Sequence, residues 1–350
     1  MKAMSWRVGG RRTRTLVGRG LLGRPGLLAR MLPGADRVAV VTDARCRRLF
    51  LPRLLRSLGR APDLVHLLPR GERAKCGAEL ERLHRALLAG GFSRDSALVA
   101  LGGGAVSDLC GFAAATFMRG VRWACAPTTL LAQIDAGLGG KTGVDLAGVK
   151  NAVGAFHQPE AVLCDPELLE SLGPRELRAG HGELLKYALL FERRFPATSA
   201  VRPPRGAALE RAVERCVRWK MSVVAQDERE TRSRREVLNL GHTFGHGFEA
   251  AARGALRHGE AVLLGLRAAV RLSELEGLLP APEARRLRGL LAALPCPRPR
   301  LRAAEVLRHM GADKKRRGGR LRFVLLRGPG RPVVAGARAA NVARVLKEIL

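Results

Sequence analysis

Lysine is nearly absent from a chain that is otherwise strongly basic. Of 62 Lys and Arg residues only nine are Lys, and 31 acidic residues leave a formal net charge of +31. An ammonium is a compact, titratable point charge and a guanidinium a planar fork, so positions that keep Lys mark places where Arg does not serve. Seven of the nine stand in polar motifs: Lys75, Lys141, Lys150, Lys186, Lys220, Lys314 and Lys315. Aromatic residues are also few, with one Tyr and three Trp. The arginines are scattered rather than gathered in one arm. Both features argue against base stacking and a nucleic-acid partner. The charge reads as composition on solvated faces, with a bias toward anionic small substrates. The seven Cys form no CxxC pair and no regular framework, which points to buried free thiols in a reducing cytoplasm. No apolar run reaches membrane-spanning length, so no membrane partner is expected. Residues 1–14 are Arg-rich and acid-free but lack a Ser-rich amphipathic continuation. They read as a short N-terminal segment and not as a transit peptide.

What is present alternates. Residues 37–43 form a buried strand pattern followed by a helix to about 58, and 79–89 form another helix. Residues 96–101 form a strand that runs into Gly102-Gly103-Gly104, with a helical pattern starting at 105. Residues 121–126 and 161–165 are further strand candidates. Alternating strands and helices predict a parallel sheet covered on both faces. After about 166 long helical patterns dominate, over 174–191, 207–225, 241–252 and 259–276, with a hairpin near 322–335 before a last helix. The expected fold is an α/β, Rossmann-like N-terminal domain (1–166) and a mainly helical C-terminal domain (167–350).

Several motifs carry chemistry. Strand, Gly-Gly-Gly, helix is a phosphate cradle, because helix N-terminal amides favour an anion. Alone it is weak, since a plain tight turn has the same letters, and the GxGxxG spacing is absent. Gly71 to Lys75 could hold a ribose and a phosphate, or be an exposed charged turn. Gly139-Gly140-Lys141-Thr142 resembles the end of a Walker A loop, but the position that must be Gly is Asp135, which excludes that reading. His242 and His246 lie at i and i+4 on one helical face, and His258 follows in a glycine-rich setting. Glu183 stands three residues before Lys186. One Glu with two of these His is a sensible zinc set with an open position.

Read together, these segments resemble the 3-dehydroquinate synthase family of sugar phosphate cyclases over about residues 37–327. The resemblance lies in 101–108 (LGGGAVSD), 127–135 (PTTLLAQID), 139–143 (GGKTG), 150–159, 227–230 (DERE), 238–246 (LNLGHTFGH), 258–262 (HGEAV) and 313–315 (DKK). It implies a dehydroquinate synthase-like, glycerol dehydrogenase-like fold and an enzyme of the shikimate pathway and aromatic amino acid biosynthesis. The implied reaction is a carbon–oxygen lyase step. The seven-carbon phosphate DAHP becomes 3-dehydroquinate and phosphate through transient NAD oxidation, phosphate elimination, reduction, ring opening and aldol closure. The implied metal is Zn2+ or Co2+, on Glu183, His242 and His258, and His246 instead lies near the substrate phosphate. Lys141, Asn151, Asn239 and one of Lys314 or Lys315, with Lys315 preferred, match phosphate-side groups. Lys220 and Arg235 (or Arg234) match a carboxylate clamp. Asp135, Lys186 and Glu230 match residues around the hydroxyls, and Lys150 lies on the nicotinamide side. Arg119 matches an arginine that reaches a neighbouring subunit, which implies a homodimer. For NAD the matches are Glu72, Lys75, Gly103, Gly104, Asp108, Thr128 and Thr129, with Leu168 and Ser171 in a nearby loop.

The pattern is not followed everywhere. Glu230 to Asn239 is one residue longer than usual, Asp43 stands where Asn is common, and Leu168 where Phe is common. His181-Gly182 before Glu183 is also unusual. The alternative is a cyclase of the valiolone or deoxyinosose type, whose substrates carry no carboxylate; the intact 139–143 segment and Lys220 argue against it.

Overall fold

In a computed structural model, residues 1–194, 203–297, 299–314 and 322–350 are described, the side chains of 312–314 excepted. The chain forms two compact units, Met1–Gly173 with Arg205–Arg229, and Pro174–Pro204 with Glu230–Leu350.

The first unit is built on a seven-stranded sheet of order β1-β2-β9-β6-β5-β3-β4. Its strands are β1 (Lys2–Val8), β2 (Arg11–Val17), β3 (Val38–Asp43), β4 (Leu64–Leu68), β5 (Ala97–Gly102), β6 (Arg122–Pro127) and β9 (Ala161–Cys164). All pairs except β1–β2 are parallel. Every residue of β5 and β9 is buried, as are five of six in β3. Continuous apolar runs are what a parallel sheet covered on both faces requires. Helix α1 (Leu27–Met31) packs on α2 (Ala44–Leu58), and Asp43 caps α2 by accepting from the Cys46 amide at 2.9 Å. Helices α3 (Gly77–Ala89) and α4 (Gly104–Thr116) follow their strands as the periodicity predicts. A separate hairpin, β7 (Lys141–Leu146) with β8 (Val149–Phe156), turns through Ala147 and Gly148, both left-handed.

The sequence pattern does not reveal β1 and β2. Residues 1–14 form most of an edge hairpin in which Thr13 and Thr15 are buried along with Val8, Leu16 and Val17. Thr13 donates its hydroxyl to the Pro159 carbonyl, which keeps the polar atom satisfied. Helix Gly206–Gln226, α6 here, packs on β1 and on a π-turn at Ala132–Ala136. A single boundary near 166 leaves that helix in the second unit, whereas its contacts place it in the first.

The second unit contains α5 (Pro174–Phe191), α7 (His242–Ala251), α8 (His258–Leu275), α9 (Ala281–Ala292), α10 (Ala303–Lys314), the hairpin β10 (Arg322–Leu326) with β11 (Pro332–Gly336), and α11 (Ala339–Ile349). Its core gathers Phe244, Phe248, Val306, Met310, Phe323, Leu325 and the Val342, Val345, Leu346 face of α11. Among the described residues no helix is long and apolar enough to cross a membrane.

Helix α11 is also tied to α8 by charge. Arg271 donates to both Glu348 oxygens, at 2.6 and 2.9 Å, and to Glu274 at 2.7 Å. The bond from Arg271 holds the Glu348 carboxyl down at about 2. A depressed carboxylate contributes stability above its unfolded value of about 4.3 and loses it as pH falls toward the folded value. Glu348→Gln is expected to lower stability by about 1 kcal/mol at pH 7, since the pair is partly solvated. Urea midpoints of the variant and the parent should converge as the pH is taken from 7 to 3.

Candidate active site

In the second unit three helices bring three metal-ligating side chains to one point. Glu183 lies on α5, His242 opens α7 and His258 opens α8, and their donor atoms all lie within 4.8 Å of one another. Glu183 Oε1 is 3.3 Å from Nε2 of both His242 and His258. Backbones must approach closely for this, and each ligand has a glycine next to it in sequence. A Cβ on Gly182 would fall 2.2 Å from the Gly259 carbonyl oxygen, and one on Gly259 1.7 Å from the Ala179 oxygen. A Cβ on Gly265 would fall 2.0 Å from the oxygen of Gly241, which itself has a left-handed φ of 78°. Gly182 against Gly259 joins α5 to α8, and Gly241 against Gly265 joins α7 to α8. Arg175 reinforces the first joint with two bonds of 2.8 Å to buried Glu260, whose carboxylate also accepts from the Arg257 amide at the start of α8.

The donor set fits a divalent cation. Neither Glu183 oxygen is met by a hydrogen bond of good geometry, although Lys186 Nζ lies 2.6 Å from Oε2. Burial alone would raise the Glu183 carboxyl, but Lys186, His242 and His258 outweigh it and hold it well below the carboxylate range. Burial lowers His242 to about 4, which leaves it neutral, the form that ligates. Burial also opposes charge on His258, yet Glu183 and Glu249 raise it to about 10. Two carboxylates facing one imidazole demand positive charge at this point, and a bound cation supplies it in place of the proton. His246 is exposed, with its ring centroid 5.4 Å from that of His242 and 6.1 Å from that of His258, and it is outside the converging set. Glu230 holds a left-handed φ of 57° and lies 3.7 Å from the buried Arg235 Nε, while Arg234 is exposed. Asn239 ends the short turn Arg235–Asn239.

The first unit gathers a different set around Lys75, which is 5% exposed. Its ammonium lies 2.8 Å from Asp108, 3.8 Å from Glu72 and 2.5 Å from the Asn151 side-chain oxygen. Burial would lower Lys75, but Asp108 and Glu72 hold it above its ordinary value. Burial raises Asp108 to about 6, with Lys75 opposing the rise. Lys150 is half exposed, 3.6 Å from Glu72, and Asn151 beside it has a left-handed φ of 52° and donates its amide to Asp145. Gly103 and Gly104 open α4 with no side-chain cap, and uncapped amides at a helix N-terminus suit an anion. Added Cβ atoms there would press Thr129 and Ala136 at 3.1 Å. The Thr128 amide donates to Gly102, and Thr129 Oγ1 accepts from the Ala132 amide. Lys220 on α6 donates to both the side chain and the carbonyl of Asp135, at 2.5 and 2.6 Å, and the π-turn presents that carbonyl.

Comparison with known proteins fits both halves. The 3-dehydroquinate synthase N-terminal profile matches residues 65–179, and the 3-dehydroquinate synthase C-terminal profile matches residues 180–316. The chain belongs to the 3-dehydroquinate synthase family. The 3-dehydroquinate synthase of Rhodospirillum rubrum is 47% identical over 94% of this chain and 89% of that protein. That of Caulobacter vibrioides is 44% identical over 95% of each. Among solved structures, a 2-deoxy-scyllo-inosose synthase complexed with carbaglucose-6-phosphate, NAD+ and Co2+ superposes with a TM-score of 0.86 at 26% identity, covering all of both chains. The 2-epi-5-epi-valiolone synthase of Streptomyces hygroscopicus, with NAD+ and Zn2+ bound, gives 0.85 at 28% identity over 96% of each chain. A glycerol dehydrogenase of Schizosaccharomyces pombe (TM-score 0.67, 17% identity, covering 96% of this chain and 88% of that one) shares the fold alone.

Against the 3-dehydroquinate synthase pattern, some expected residues take other positions. The Leu168 side chain is fully buried in the first unit's core, which leaves its backbone as the part of the residue that faces a ligand. Ser171 Oγ donates to the Leu168 carbonyl, and Arg45 donates to the Ser171 carbonyl. Lys141 begins β7, and Arg119 is exposed on a tight turn after α4 with a φ of 64°. Lys315 lies outside the described residues. Sequence reasoning missed Glu249, Glu260 and Arg175. Glu249 was within reach, because it lies seven residues after His242 and hence on the same helical face.

Gly259→Ala is expected to cost about 3 kcal/mol or more, since backbone and not a flexible side chain must yield. The purified variant should also lose bound metal by elemental analysis. Gly289→Ala, with nothing within 4 Å of the new methyl on α9, is the contrasting case and should be neutral or stabilising.

Proposed function

We propose that this chain is a 3-dehydroquinate synthase that converts DAHP to 3-dehydroquinate and inorganic phosphate, with NAD and a divalent metal, Zn2+ or Co2+. The observation that carries the reading is the convergence of Glu183, His242 and His258 in a chain of this family. Glu183, His242 and His258 would hold the metal, which would supply Lewis acidity to the hydroxyl being oxidised, and bound NAD would supply reversible hydride transfer at that carbon. Lys186, buried with its ammonium 2.6 Å from Glu183 Oε2, has further N–H groups to donate to a substrate hydroxyl oxygen. His246, Asn239, Lys141 and Asn151 are assigned to the phosphate. Lys315 is assigned to the same group. Arg235 and Lys220 bind the carboxylate, while Asp135 and Glu230 orient the two cations and the hydroxyls between their contacts. Lys75, Asp108 and Glu72 hold the dinucleotide with Gly103, Gly104, Thr128 and Thr129 along the phosphates, Ser171 and the Leu168 backbone beside them, and Lys150 at the nicotinamide.

The protein works as a homodimer in the cytoplasm. Support for the dimer comes from Arg119 and from apolar side chains left exposed on β8. Met118 and Arg119 both hold left-handed backbone angles at an exposed turn, strain that a functional position explains. On β8, Val149, Val153 and Phe156 are 40–46% exposed along an edge strand, which a second copy would cover. The deoxyinosose and valiolone alternatives have less support, because the relatives with higher identity are 3-dehydroquinate synthases.

Purified protein given DAHP, catalytic NAD and Zn2+ should release phosphate and form dehydroquinate without net NADH. His258→Ala should abolish turnover and metal content together, and full metal content in that variant would contradict the ligand assignment. Arg119→Ala should be nearly inactive alone, and each mixed dimer with a His258→Ala subunit should regain one working site, about half the activity of the wild-type dimer. Verified heterodimers without rescue would argue against a shared site.

A further inference from the structure

Glu249 stands outside the ligand set, yet it touches a ligand on the side away from the metal position. It lies on α7, and His242, His246 and Glu249 follow one another at i, i+4 and i+7 along one face. Its Oε2 is 2.9 Å from His258 Nδ1, while His258 Nε2 faces Glu183. The Glu249 side chain is 10% exposed against 33% for His258, so the carboxylate holds the ring from its buried side. A neutral imidazole has one N–H and one lone pair, and the partner of one nitrogen decides what the other can do. A carboxylate at Nδ1 keeps the proton there and leaves the Nε2 lone pair for a cation. His242 meets the same need through backbone, with Nδ1 3.3 Å from the Leu240 carbonyl.

We infer that Glu249 is the positioning residue of the metal centre: it fixes the tautomer and the rotation of His258, and so sets metal affinity without ligating. The ring of His258 begins a helix and is one-third exposed, so without this bond it is free to turn about its side-chain torsions. Arg175 and Glu260 place the helix, while Glu249 holds the ring at Nδ1, opposite the nitrogen that faces Glu183. The inference rests on the reading of Glu183, His242 and His258 as the ligands.

The test strips metal from the full-length protein and titrates Co2+ into wild type, Glu249→Gln, Glu249→Ala and His258→Ala, following the visible band of bound Co2+. Zn2+ affinity is read by competition with a chromophoric chelator. Expected is a Kd about 10- to 100-fold higher in Glu249→Ala, a smaller rise of at least threefold in Glu249→Gln, which keeps an acceptor oxygen, and a shifted Co2+ band in both. A residue that only stabilised the helix pair would leave the band and the Kd unchanged in folded protein. A Kd within twofold of wild type with an unshifted band, in either variant, overturns the inference. Glu249→Gln is isosteric and decides the matter if the alanine variant does not fold. Should wild type bind no Co2+, or His258→Ala bind it as wild type does, the ligand assignment itself fails, which is a different result.

Discussion

The candidate metal centre depends on two places where backbone meets backbone. At Gly182 and Gly259 the carbonyl of one helix occupies the space a methyl group would need on the other, and Gly241 with Gly265 repeats the arrangement. Because Glu183, His242 and His258 are the neighbours of these glycines in the chain, closing the joints delivers the ligands. The three donors lie within 4.8 Å of one another, so opening either joint would draw at least one of them out of the set. The ligand geometry is a by-product of main-chain contact, and this is why so much else is arranged to keep the joints shut. Arg175 crosses from α5 to Glu260 near the start of α8, and the aromatic core of Phe244 and Phe248 lies under α7.

The scarcity of lysine takes on meaning beside the scatter of arginine. Lys75, Lys186 and Lys220 are all buried, and each lies against a carboxylate: Asp108, Glu183 and Asp135. Burying an ammonium is costly unless it is paired and hydrogen-bonded. A compact charge with three donors can serve one carboxylate and still direct a proton elsewhere, as Lys75 does toward Asn151. A guanidinium in the same space would take up both carboxylate oxygens and bring more volume. The surface arginines, in contrast, form short-range pairs with neighbouring Glu one turn away, as Arg85 does with Glu81 and Arg286 with Glu283.

Much of the scaffold was legible from periodicity. The strands at 38–43 and 97–102 are continuous apolar runs, and the helix at 174–191 begins and ends where its pattern does. The edge hairpin was not legible, because Thr and Arg alternate where aliphatic residues would signal a buried face. The π-turn at 132–136 leaves no signature in composition, yet it brings the Asp135 carbonyl to Lys220. At the metal centre the sequence suggests a pair, His242 with His246, since spacing speaks only within one helix. Glu183 and His258 each arrive from another helix, and no spacing rule reaches across a joint. Several glycines that look like devices for approaching a ligand are instead devices for approaching another helix.

The first unit is interrupted in the chain. Arg205–Arg229 returns to it after Pro174–Pro204 has already entered the second unit, and α6 then packs against β1, the strand nearest the N-terminus. During synthesis, therefore, the earliest strand waits for more than half of the polypeptide before its cover arrives. β2 waits likewise for β9. The order of residues leaving the ribosome is not the order in which the sheet can be completed, and the edge hairpin spends that interval as an unsealed margin, a period in which chaperones have most to offer. Arg and Thr fill residues 11–15 of β2, a stretch that remains hydrated while it waits.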